Sequence, residues 1–314
     1  MTNLSHASAP RSDDLLLRGL LPSHSLRLVA AITTGVAREA TSRHGAVGGP
    51  AVALARGATA GLLLATLTKD RERMTAEVNG GGALGPLMID SAGAGEVRVY
   101  LRHPGTPVPA KPGAHVSIGR AMGHKGIVRV VRDLGLRETV SGQTPVVDGE
   151  VDTDLEHYLC ASEQVPSVLG CDALLGPDLD IAISGGVLLQ TLPGSEALPL
   201  LEQWRRDLRG GALARTLAAL SAHHASPLML AHALLGEFGD DLIELDVQPV
   251  RFFCPCSKER AINTLSVLSV QDLKEMVAED QGAKVTCEFC RAHHLVSTDE
   301  LQRVYADAVA SRPS

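Results

Sequence analysis

Aromatic residues are almost missing from this chain: four Phe, three Tyr and one Trp make up 3% of its 314 residues. A core must therefore be built from Leu, Val, Ile and Ala, and a hydrophobic content of 45% is enough to build one. Long apolar runs are missing too. The longest, Gly61 to Leu67, is far too short to span a bilayer, so no membrane partner is expected. There is no surplus of positive charge. The net −7 argues against a protein that tracks a nucleic-acid backbone. Met1-Thr2-Asn3-Leu4-Ser5 offers neither a basic n-region nor an apolar h-region, so no secretory signal is expected and the expected setting is cytoplasmic. The G-x-x-x-x-G-K-[ST], H-E-x-x-H and G-x-S-x-G patterns do not occur, and no pair of carboxylates is placed for acid–base work. An enzyme is therefore not expected. Gly80 to Gly85 formally fits G-x-G-x-x-G, but Pro86 and a strand-like Leu87-Met88-Ile89 follow. No helix starts there to receive a pyrophosphate, so the glycines read as a tight turn.

The pattern that remains is α+β. The length suggests one large and one small unit. Residues 1–12 are small and polar and are expected to be disordered. Residues 13–194 read as a large N-terminal domain with an antiparallel sheet and buried helices. Leu26 to Ile32 reads as a strand, and Thr33 or Thr34 as the cap of a helix ending before Gly45. A second helix, from Pro50 to about Thr68, is apolar all round, so Thr59, Thr66 and Thr68 must hydrogen-bond within it or line something. From Arg73 the period becomes two, and Leu87–Ile89, Val97–Leu101 and Ile127–Val131 continue a meander. Residues 103–113 form a Pro-rich loop, 144–150 are turn-rich, and Thr153 can cap a helix ending before Pro166. Leu179–Ile183 and Val187–Leu192 read as a hairpin about Gly185-Gly186. Residues 195–248 form a helical linker (Leu198–Leu208, Leu213–His223, Pro227–Leu235). It ends in the hinge-like stretch Glu237 to Asp246, which carries five acids and no base. A small C-terminal domain spans 249–306, with a Ser269–Asp272 capping box and a last helix from Ser297 or Thr298; 307–314 is a tail.

Four of the six cysteines fall in two tight pairs, Cys254-Pro255-Cys256 and Cys287-Glu288-Phe289-Cys290, with 30 residues between them. Zinc takes four soft thiolates in a tetrahedron, and a unit this small needs metal to fold firmly. Cys254, Cys256, Cys287 and Cys290 are therefore expected to ligate one Zn²⁺, a closed site with no open position for catalysis. Spacing alone leaves both a structural and a redox-active role open. A zinc-ribbon module binding nucleic acid or a protein partner is the alternative reading. Seven Lys/Arg against eight Asp/Glu over 249–306 disfavour the nucleic acid. His293 and His294 read as neighbours of a shell the cysteines already close. His223, His224 and His232 lie without a carboxylate at ligand spacing, and Cys160 and Cys171 read as small core residues.

Cys254-Pro255-Cys256-Ser257-Lys258-Glu259-Arg260, with Cys287-x-x-Cys290 behind it, resembles the heat shock protein 33 family of redox-regulated bacterial holdase chaperones. The resemblance covers about residues 15–305. Arg27–Thr34 resembles the family's first strand and helix start, and Gly61–Lys69 its buried second helix. Asn79–Leu87 resembles its Gly-rich turn, Ser162–Pro166 a helix end, and Gly185–Gln190 its hairpin. The acidic residue usual in that Gly-rich turn is missing. The resemblance implies a switch. When the cysteines are reduced and hold zinc, the chaperone is off. Oxidation to the disulfides Cys254–Cys256 and Cys287–Cys290 releases zinc and frees apolar surface for unfolding client proteins. The oxidised chain forms a homodimer.

Overall fold

The computed structural model describes residues 14–68, 72–135, 139–221, 224–279 and 281–311. The N-terminal stretch expected to be disordered and His223 lie outside them. The chain divides between Phe253 and Cys254 into two compact units, so residues 249–253 fall with the first unit and not the second.

Unit one opens with an antiparallel hairpin of β1 (Leu15–Leu21) and β2 (Leu26–Ile32). Next comes α1 (Thr34–His44), ended by Gly45 at φ 59°. Thr33 stands at its N-cap but does not cap it, because its hydroxyl is engaged by Thr59 at 2.6 Å and Ser184 at 3.1 Å. Asp14 serves instead, accepting from the backbone N–H of Gly35 and Val36 at 3.0 and 2.6 Å. Every residue of α2 (Gly49–Ala65) is buried, as its composition requires. Its threonines are satisfied as expected: Thr59 donates to Ala55 O, Thr66 to Leu63 O and Thr68 to Ala65 O.

The meander follows as β3 (Arg73–Asn79), β4 (Leu87–Ala92) and β5 (Glu96–Leu101), with alternate side chains buried in β3 and β5 and nearly all buried in the central β4. Between β3 and β4 the glycines do form a turn. A Cβ on Gly80 would lie 2.0 Å from the carbonyl oxygen of Gly123, so only glycine fits there. Beyond the Pro-rich loop come α3 (Gly119–Met122), β6 (Ile127–Asp133), β7 (Val140–Pro145), which had not been expected, and α4 (Val151–Ala161).

β8 (Ser167–Leu175) and β9 (Ile181–Thr191) correct the expected hairpin. The turn lies at 176–180, and Gly185-Gly186 sits inside β9, opposite Ile32 and Ala31 on β2. These glycines mark close approach, not reversal. A Cβ on Gly186 would stand 2.6 Å from Gly170 O and 2.8 Å from Thr59 Cγ2 on α2. Gly186→Ala is accordingly expected to cost about 1–3 kcal/mol through overpacking. A urea titration should show a lower midpoint at unchanged slope.

α5 (Leu198–Arg209), α6 (Ala212–Leu220) and α7 (Pro227–Leu235) match the expected helices. The rest of that stretch is not helical linker throughout. A 3₁₀ turn leads into β10 (Ile243–Pro249), which pairs antiparallel with β1, and β11 (Arg251–Phe252) pairs parallel with β5. Ile243, Leu245 and Val247 alternate with Glu244 and Asp246, a period of two that suits a strand. Two sheets result, ordered β10-β1-β2-β9-β8 and β11-β5-β4-β3-β6-β7. Alternation along β2 shows the layering. Val29 and Ala31 join the core around α2 and the second sheet, while Leu26, Leu28, Ala30 and Ile32 pack with Leu201, Trp204 and Leu217 of α5 and α6.

Unit two contains α8 (Lys258–Leu265), α9 (Val270–Ala278), the antiparallel pair β12 (Ala283–Thr286) and β13 (His293–Val296), and α10 (Thr298–Ser311). α10 runs on through 307–311, where a tail was expected. Ser269 accepts from the Asp272 N–H at 3.0 Å, as the capping pattern predicts. Ser297 and Glu300 form a second, reciprocal box. The buried core is small: Leu265, Leu273, Val296, Leu301, Val304 and Ala308.

Candidate metal centre

Local structure brings each cysteine pair to its place. Cys254 and Cys256 lie in the extended stretch before α8, which starts where Ser257 accepts from the Arg260 N–H at 3.2 Å. Cys287 and Cys290 form the tip between β12 and β13. There the Cys287 N–H donates to Ala292 O at 2.9 Å, and the Arg291 N–H donates to Cys287 O at 2.8 Å, with Arg291 at φ 58°. That turn aims both sulfurs the same way.

The four Sγ atoms converge within 4.8 Å of one another. Cys254 Sγ stands 3.6 Å from Cys287 Sγ, and Cys256 Sγ 3.3 Å from Cys290 Sγ. Four sulfurs at ~2.3 Å from one ion would form a tetrahedron with edges of about 3.8 Å, so the cluster has the size a thiolate-bound metal needs. All four are free thiols. Electrostatics point the same way. Burial pushes the Cys256 thiol up to about 11. Hydrogen bonding with Cys254 and Cys287, and then burial, push Cys290 further up. Sulfurs this close do not ionise together unless a cation sits among them. The set can hold a metal ion.

His294 Nε2 lies 3.3 Å from Cys256 Sγ, a donor to sulfur when it carries the proton, while His293 Nδ1 turns to Thr286 Oγ1 at 3.0 Å. Among the described residues no other His, Cys, Asp or Glu trio gathers closely enough to hold an ion, and His224 and His232 join none. Cys160 on α4 and Cys171 on β8 stand apart from the cluster, their thiols pushed up by burial. Sequence reasoning overlooked Arg56, which is wholly buried on α2 against Asp172 at 2.7 Å and Glu150 at 2.6 Å. The signal was available: a lone Arg in an Ala/Leu/Val helix demands carboxylates elsewhere.

A family model described as Hsp33 protein matches residues 14–297. The 33 kDa chaperonin of Bacillus subtilis (strain 168) is 34% identical over 291 residues, covering 92% of this chain and 97% of that protein. The 33 kDa chaperonin of Enterococcus faecalis (strain ATCC 700802 / V583) is 32% identical over 299 residues, covering 95% and 98%. The crystal structure of the 33 kDa chaperonin (heat shock protein 33 homolog) from Thermotoga maritima matches with a TM-score of 0.80 at 26% identity, covering 95% of this chain and 100% of that one. An α+β body followed by a four-cysteine unit, in a chain whose relatives are named chaperonins, defines a protein of a chaperone class. The chain belongs to the Hsp33 family. No helix among its described residues is long and apolar enough to cross a membrane.

Proposed function

We propose that the protein is a redox-regulated, ATP-independent holdase of the cytoplasm, and that Cys254, Cys256, Cys287 and Cys290 hold one Zn²⁺ per chain in its reduced, inactive form. The observation that carries this reading is the convergence of four sulfurs, from pairs far apart in sequence, inside a unit whose apolar cluster has six buried residues among those described. When bound, zinc supplies the positive charge that keeps the thiolates ionised together and ties the 254–256 segment to the β12–β13 tip.

Thiolates are the form that peroxide and hypochlorous acid attack. Cys254 with Cys256, and Cys287 with Cys290, then close as disulfides. In each, two thiols and one peroxide give one S–S bond and two waters. Sulfurs spent in S–S bonds no longer carry the charges that hold a dication, and the unit loses its cross-link. The helices of the 195–248 stretch, α5–α7, loosen with it, while β10 stays paired with β1. The apolar face now under α5–α7, including Leu28, Val187 and Leu189, becomes available to unfolding proteins. Oxidised chains pair as homodimers. The activity is binding, not catalysis, and its partners are proteins, neither nucleic acid nor membrane. In the cytoplasmic setting proposed for it, the thiols start reduced.

To test it, the zinc-loaded protein is treated with peroxide at raised temperature while zinc release and aggregation of a denatured client are followed. Zinc should leave, and only oxidised protein should hold the client. Retention of zinc, or equal holding by the reduced form, sinks the switch.

A further inference from the structure

A cleft of about 270 Å³ in unit one is lined by residues of both sheets. Each sheet contributes one arginine: Arg27 from β2 and Arg132 from β6. Neither is fully served. Arg27 donates through one Nη to Thr66 Oγ1 at 2.9 Å, and among the described residues no carboxylate pairs with it. Its charge is half-buried, and Arg18 stands close by. Arg132 reaches Glu163 Oε1 at 3.1 Å, but that oxygen already accepts from the Tyr158 hydroxyl at 2.7 Å. The Arg132 Nε is buried and finds no acceptor in the protein.

We propose that this cleft is a binding site for a phosphate-class oxyanion. Guanidinium carries several N–H donors in a planar fork that matches phosphate two at a time. Here two forks meet one hydroxyl and one shared carboxylate oxygen, so donors outnumber acceptors and the lining keeps a positive balance. A half-buried cation without a counter-ion is costly, and an oxyanion removes that cost. The volume equals about nine waters at ~30 Å³ each, room for phosphate or pyrophosphate. Leu159, Val165 and Leu192 complete the walls and lower the local dielectric, which strengthens the pairing.

The test is calorimetric titration of the full chain with inorganic phosphate, inorganic pyrophosphate and ADP, at ionic strength matched with chloride. Saturable binding of pyrophosphate with Kd below about 1 mM is expected. Arg27→Gln and Arg132→Gln should each weaken it by at least about tenfold, with far-UV circular dichroism confirming the fold. Binding of ADP with the same arginine dependence assigns the phosphate to a nucleotide. Binding of the inorganic ions alone assigns it to a free anion. Should either variant fail to fold, the unaltered chain still decides: no saturable heat with any of the three probes overturns the proposal. So does binding undiminished in both variants.

Discussion

Chelating the metal under reducing conditions will unfold residues 254–311 and leave the body of residues 14–194 folded. The expectation follows from unequal cores. Among the described residues, the apolar cluster of unit two has six buried side chains, of which Leu265, Leu273, Leu301, Val296 and Val304 are larger than Ala. Domains of about 60 residues are stable by only ~3–9 kcal/mol when well built, whereas a closed thiolate site contributes on the order of 10 kcal/mol or more. Unit one has its own extensive core around α2 and owes nothing to the cysteines. Hydrogen exchange followed by mass spectrometry is the direct readout. Protection should vanish across α8, α9 and α10 and persist in α2, β8 and β9. Protection retained in α8–α10 after metal removal refutes the dependence. Cys287→Ser should bind zinc more weakly and show part of the same loss before any chelator is added. It should also be unable to form the Cys287–Cys290 bridge.

The second large effect lies in unit one. Arg56 Nη2 is 2.7 Å from Asp172 and 3.0 Å from His115 Nδ1; His115 Nδ1 in turn is 2.8 Å from the other oxygen of Asp172. Glu150 takes Arg56 Nη1 on one oxygen, and on the other the Ser117 hydroxyl and the N–H groups of Ile118 and Gly119. One guanidinium thus anchors α2, β8 and the loop before α3. Arg56→Leu leaves two carboxylates desolvated without their cation, a change expected to cost about 3–5 kcal/mol and to lower Tm by about 10 °C.

The pH dependence has a definite sign. Burial alone would raise Asp172, but Arg56 and then His115 hold it below the ordinary carboxylate range. Its contribution is therefore present at neutral pH and lost as pH falls through its depressed value. Without Arg56 the same carboxyl protonates more readily, which removes the uncompensated charge. The deficit of Arg56→Leu should therefore shrink as pH is lowered from about 7 toward about 4. His115 acts in the opposite sense. Its hydrogen bond to Asp172 raises it, so its smaller, half-exposed share fades as pH rises through that value. Thermal melts of both proteins across this range check both statements, and a pH-independent deficit would argue against the ionic account.

Period and composition made much of this legible. The all-apolar run of α2, the alternation of β3 and the caps at Ser269 and Ser297 state their structure locally, because each depends on neighbours within one turn or one strand. The convergence of the cysteine quartet was legible for a different reason: two tight pairs of one soft ligand type point to a shared metal, though not to its role. What stayed hidden depends on partners distant in sequence. β8 is buried on both faces, so it shows no alternation, and Gly185-Gly186 looks like a turn until α2 is laid against it. Asp14 caps a helix that begins some twenty residues later, in place of the threonine beside it. Arg27 and Arg132, ordinary in their strands, matter only because two sheets bring them to one cleft.

The position of β10 has a consequence for how the helices α5–α7 can move. β9 ends at Thr191 and β10 begins at Ile243, and both strands belong to the same five-stranded sheet. The intervening chain is thus a closed loop stitched down at both ends. If its helices lift from the sheet, they cannot drift away. They remain at an effective concentration of order mM, and their return is an intramolecular step with only modest closure entropy against it. On the proposed function, a client lying on the uncovered sheet competes with a lid that never leaves. How long it is held depends on the strength of that competition as well as on the client's own affinity.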